Sequence, residues 1–189
     1  MNTNEMTLTE MLAYYKSCGP LTLVPPSDDD LMSPKRVAKQ LAEGVKPGQL
    51  WIAGDNEEDY GNGLPNLMYV MVVETRGEFV TVVPMSTDLR TQTEDSWIIE
   101  QGCPLEEPTV VWPKIKAIIP ARLLSTPLKE FKPATVDAII ENDMTLADPA
   151  DKLEAGYDHE DNEAAYVETR EDNIVTLLKW HVMCFKRNA

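Results

Sequence analysis

Apolar positions gather in short, valine-rich runs near the middle of the chain and thin out toward both ends. Between residues 45 and 88 they read as three strands. Residues 48–53 (GQLWIA) form a short apolar segment bounded by Pro47 and Gly54. Residues 68–74 (MYVMVVE) and 78–85 (EFVTVVPM) are β-branched runs, and the Arg76-Gly77 pair between them suits a hairpin turn. The polar, glycine-bearing stretch 55–66 is a long loop for so tight a meander, a length that signals either a function or disorder. Downstream, residues 96–99, 109–112 and 116–119 are again strand-like. Pro104, Pro113 and Pro120 mark turns, strand ends or sheet edges, because proline donates nothing to a ladder. Six short strands at this spacing predict a small antiparallel barrel.

Helical patterning flanks the strands. Thr7 and Glu10 make a capping box, Met11, Leu12 and Tyr15 share the face that follows, and Gly19-Pro20 ends it. A second helix starts at Ser33-Pro34, carries Val37, Ala38 and Leu41, and stops at Gly44. Lys132-Pro133 opens a third, with Val136, Ile139 and Ile140 facing the barrel. From 148 to 172 the composition turns acidic, ten acids against two bases, and reads as loop or mobile segment. Ile174, Leu177, Leu178, His181 and Phe185 then share one helical face, with Lys186 and Arg187 at the end that the helix dipole favours. The fold class is therefore mainly β with flanking helices (α+β). Its parts are a helical extension over 1–44, a barrel over 45–146, and an acidic linker with a C-terminal helix over 147–189.

At 189 residues and 43% hydrophobic, the chain supports one good core. Its net charge of −15 and pI near 4.5 disfavour nucleic acid and anionic membrane unless a basic patch is segregated, and no such patch is visible. Cys18, Cys103 and Cys184 are odd in number and widely spaced, as reduced, buried thiols of a cytoplasmic protein would be. No apolar signal region and no run of about 18 apolar residues occurs, so a soluble cytoplasmic protein with no membrane partner is expected.

Metal and nucleophile chemistry finds little support. The acids at 55–59 precede Tyr60, where a calcium loop requires glycine. Asp158-His159-Glu160-Asp161 lacks partner ligands at metal-site spacing, and His181 sits on an apolar helical face as core histidines do. Cys103 has no local nucleophile signature that would pair it with His159 or His181. Trp51, Trp97, Trp112 and Trp180 read as core or interface, with Trp97 partly exposed beside its loop. No cofactor and no metal is expected.

The segment VKPGQLWIA at 45–53 resembles the opening strand of the PemK/MazF-like toxins, the Kid/CcdB fold. MYVMVVE matches that family's second strand, and FVTVVPMST its third, which ends in a small hydroxyl residue. Residues 108–123 resemble the late strand leading to an Arg-Leu pair, and Val136 to Ile140 its closing helix. The resemblance spans about 45–142 and implies an SH3-like barrel, often dimeric, that cleaves single-stranded RNA through the 2′-hydroxyl without metal. In the family this relies on a Thr or Ser ending the third strand and an arginine starting the second. Ser86, with Thr87 beside it, fills the hydroxyl position, and the arginine position falls on Met68 or Tyr69.

Neither Met68 nor Tyr69 supplies a cation, and over 46–142 acids outnumber bases 15 to 8. The resulting expectation is a barrel with lost or weakened catalysis, acting as a binding or regulatory module with a protein partner or a second copy. Single-stranded RNA is a ligand disfavoured by the charge. One alternative is an active endoribonuclease using Ser86 or Thr87 with an arginine from elsewhere, Arg76 and Arg90 being nearest in sequence. Another is an adaptor presenting its terminal helices. Ser86 also has a plainer reading, a hydroxyl closing a strand before an Asp turn. The acidic segment 148–172 is either a cover over the family's groove or a solvated linker.

Overall fold

The valine-rich runs become β1 (Gln49–Ala53), β2 (Met68–Arg76) and β3 (Phe79–Ser86) in a computed structural model, which describes residues 42–54, 67–158, 170, 171, 174, 176 and 177. The β2–β3 hairpin pairs Arg76 with Phe79 across Gly77-Glu78, one residue later than the sequence suggests. Gly77 takes φ 62°, the conformation a tight hairpin requires of its first central residue. β4 (Trp97–Gln101), β5 (Thr109–Val111), β6 (Ala117–Pro120), β7 (Leu124–Glu130), helix α1 (Pro133–Glu141) and β8 (Lys152–Ala155) follow.

All pairings are antiparallel, in the order β7-β1-β2-β3-β5-β4-β8, with β6 also on β3. Strand β3 is therefore shared. Its first half, from Phe79 to Val82, pairs with β6, and its end, Met85 and Ser86, pairs with Val111 and Val110 of β5. Against the expectation of a small closed barrel, the order begins at β7 and ends at β8, and no pairing among the described residues joins them. The architecture is an antiparallel sheet with one complete helix packed against it.

Both faces of the sheet are covered, which is why β2 and β3 read as nearly unbroken apolar runs. One face sends Leu50, Met71, Val83 and Met85 toward Val136, Ala138 and Ile139 of α1. The other packs Trp51, Val70, Val72 and Val82 with Ile119, Leu123, Leu124 and Leu177. Gly48, at φ +85°, lets β1 approach the helix: a Cβ there would lie 2.8 Å from Val136 Cγ2. Helix α1 begins as expected, with Pro133 in its first turn, and ends at Asn142 in the left-handed conformation.

Two strands have no counterpart in the sequence reading. β7 covers a stretch with no assignment from the sequence, and its Pro127 is tolerated because β7 is an edge strand. β8 lies inside the acidic stretch. Its ladder to β4 compensates for weak local propensity, and Lys152 ion-pairs with Glu100 across it. The first part of the presumed linker is thus sheet. Trp97, expected to be partly exposed, is buried in the core against α1 and its neighbours.

The helix expected over 7–18, the loop 55–66, His159, His181, Trp180, Cys18 and Cys184 lie outside the described residues. Of the helix expected from Ser33-Pro34, only Ala42 and Glu43 ahead of the stop at Gly44 are described, and both are helical. In the C-terminal region Arg170, Glu171, Ile174, Thr176 and Leu177 are helical. Among the described residues no helix is long and apolar enough to cross a membrane.

Candidate functional site

The antiparallel register brings the start of β2 to the end of β3: Tyr69 pairs with Met85, leaving Met68 beside Ser86. The two positions singled out in the sequence therefore meet. They border one small pocket with an apolar floor of Met68, Pro84, Met85 and Trp112. Ser86, Thr91, Arg170 and Ile174 complete its lining. Its free volume is about 20 Å³, room for a water molecule and little else. Thr87 and Tyr69 do not line it. Tyr69 packs with the core on the α1 side.

Ser86 is held by the turn that follows it. Its Oγ accepts the backbone N–H of Asp88 at 3.1 Å. Asp88 in turn caps the short 3-10 turn Leu89–Thr91, its Oδ1 accepting from Arg90 N at 3.1 Å. The Arg90 guanidinium forks onto the same carboxylate, with Nε and Nη2 each at 2.9 Å. That pairing holds the Asp88 carboxyl below its ordinary range, with a further contribution from the Arg90 backbone N–H. Thr91 Oγ1 donates to the Asp88 carbonyl at 2.6 Å, which fixes the rim. A hydroxyl that accepts one hydrogen bond still has its proton to donate, so Ser86 keeps a polar function toward the pocket.

The arginines nearest in sequence do not line this pocket. Arg76 is at the far end of β2 and bridges Glu74 at 2.7 Å, and Arg90 is turned onto Asp88. The arginine in the pocket's lining is Arg170, which no local pattern marks, because it stands alone in an acid-rich run and joins Ser86 in one lining only through the fold. No residue of the lining carries a carboxylate. Arginine and serine are residue types that can together hold an anion or a phosphodiester oxygen. At its present volume the pocket holds neither.

The loop beside the rim is stitched to its neighbours. Trp112 Nε1 donates to Thr93 Oγ1 at 3.2 Å, and Ser96 Oγ donates to the Thr93 carbonyl at 2.8 Å. Gly156 N donates to the Ser96 carbonyl at 2.8 Å, and Tyr157 N to Gln92 Oε1 at 3.3 Å. Cys103 is buried apart from the pocket's lining and hydrogen-bonded to Thr109, and burial pushes its thiol up, so it is a poor nucleophile. Among the described residues no cluster of three His, Cys, Asp or Glu side chains could hold a metal ion. Compared with known proteins, the sequence matches no family model and no curated protein.

Proposed function

We propose that this chain is a PemK/MazF-like protein, its open antiparallel sheet a variant of the SH3-like barrel, whose ribonuclease chemistry is lost or weakened, and that it works as a binding or regulatory module. The observation that carries this reading is the filled pocket at the junction of β2 and β3. Its floor is apolar, Met68 stands where the resemblance asks for arginine, and about 20 Å³ is far below the several hundred Å³ that a nucleotide-sized ligand occupies. Ser86 also has a sufficient local role, accepting from Asp88 N. The excess of acids over bases across 46–142 opposes an RNA backbone. A protein partner with basic surface fits this charge better, and a second copy of the chain would have to join through uncharged surface.

One observation favours a second reading, an active metal-independent endoribonuclease. Arg170 lines the pocket with Ser86, so a cation from the C-terminal segment replaces the one missing from β2. A guanidinium there would stabilise charge developing on a scissile phosphate. The adaptor reading concerns terminal helices that lie almost wholly outside the described residues.

Incubating the full chain with mixed-sequence single-stranded RNA separates the two. Intact RNA from folded protein supports the binding module. Cleavage that disappears in both Ser86→Ala and Arg170→Ala would replace it with the enzyme.

A further inference from the structure

We infer that residues 148–157 form a strap that opens and closes as one unit with the turn 93–96, and that the Asp151 carboxylate is its catch. The inference goes beyond the binding reading above and does not depend on it.

β8 is an edge strand of four residues, mostly exposed, and β4 is its only ladder partner among the described residues. Of those four residues only Leu153 packs on the core, so burial contributes little to holding the strand. Its hold comes mainly from its two ends.

At the first end the Asp151 side chain is 1% exposed. Its Oδ1 takes Lys132 Nζ and its Oδ2 takes Thr135 Oγ1, each at 2.5 Å. Gly102, just past β4, makes the room: a Cβ there would lie 2.2 Å from Asp151 Cγ. Lys132 also reaches Asp148 at 3.5 Å, and Lys152 bridges Glu100 of β4 and Glu154. Opposite charges meet in each of these pairs. A carboxylate withdrawn that far from water needs its partners, so half-seating costs more than either full seating or release.

At the other end Gly156 N donates to the Ser96 carbonyl at 2.8 Å, and a Cβ on Gly156 would fall 2.5 Å from the Thr93 carbonyl oxygen. Tyr157 N donates to Gln92 Oε1 at 3.3 Å. Ser96 Oγ closes the turn on itself, donating to the Thr93 carbonyl at 2.8 Å and accepting Thr93 N at 2.9 Å. Thr93 Oγ1 in turn accepts Trp112 Nε1 at 3.2 Å. Hydrogen bonds thus run from the strap through Ser96 and Thr93 to Trp112, which lines the Ser86 pocket. Lifting the strap removes a support of the turn and, through it, of Trp112.

Hydrogen exchange on the unmodified full chain is the first test. Amides of β8, Gly156 and Ser96 should share one opening free energy and exchange about tenfold or more faster than those of β2 and β3. Separate openings for β8 and the turn, or opening only together with β2 and β3, would overturn the proposal. Asp151→Asn keeps the shape of the catch and removes its charge. It should speed exchange about fivefold or more at both β8 and Ser96, with β2 and β3 unchanged. Acceleration at β8 alone would overturn the coupling, and none at all would overturn the catch. None of these readouts uses RNA or a partner, so the strap can fail while the binding module stands. RNA cleavage by Ser86 and Arg170 would remove that module without touching the strap.

Discussion

Ser86, at the end of β3, and Arg170, in the C-terminal helical segment, line the same pocket, while Met68 at the start of β2 brings only a thioether to it. Arg170 is half-buried there. Replacing Arg170 with alanine should change stability by less than about 1 kcal/mol, read by urea unfolding, because no core packing is lost. The variant is then a clean probe of what the cation does.

The start of β1 depends on one buried amide. Gln49 Oε1 accepts Lys46 N at 2.9 Å and Trp51 Nε1 at 3.1 Å, while Nε2 donates to the Gly44 carbonyl at 3.3 Å. Gln49→Ala leaves the Trp51 indole N–H buried and unpaired. It should cost about 2–3 kcal/mol in urea unfolding, more than an average single substitution. A loss below about 0.5 kcal/mol would mean that water replaces the amide.

Asp151 fastens α1 to the turn before β8. Its carboxylate, 1% exposed, takes Lys132 Nζ on Oδ1 at 2.5 Å and Thr135 Oγ1 on Oδ2 at 2.5 Å. A Cβ at Gly102, whose φ is +93°, would collide with it. Asp151→Ala should destabilise by about 2 kcal/mol, and Gly102→Ala by at least as much because strain is added to the displaced carboxylate. Thermal melts of both variants check the order.

The pH response follows from Asp88. Its folded-state pKa is lowered, chiefly by the Arg90 side chain. The stability this contributes is fully present above the unfolded value of about 3.9 and is lost as pH falls through the lower folded value. Urea midpoints measured from neutral pH downward should fall below about pH 4. In Asp88→Asn that fall should be shallower.

The sheet was largely legible because burial on both faces leaves a direct mark in the sequence: β2 and β3 could hardly be anything else. Helix α1 was legible through Pro133 and the spacing of Val136 and Ile139. Strands β7 and β8 were not, since Pro127 and the acids around Leu153 argue locally against strand, and only pairing with β1 and β4 overrides that. In the candidate site, Ser86 and Met68 could be placed together from strand order. Arg170 could not, because its position depends on where Leu177 docks and on nothing in its neighbourhood.

Cys103 should resist alkylation in the folded protein near neutral pH. Its thiol is buried, donates to Thr109 Oγ1 at 3.1 Å, and is pushed up by burial. Mass spectrometry after iodoacetamide should find it modified only once urea has unfolded the chain.

The most direct test is incubation of purified full-length protein with mixed-sequence single-stranded RNA, beside Ser86→Ala and Arg170→Ala. Intact RNA in all three, from protein that melts cooperatively, is the result a binding module requires. Cleavage by the unmodified chain that is lost in both variants would contradict it and make Ser86 and Arg170 catalytic.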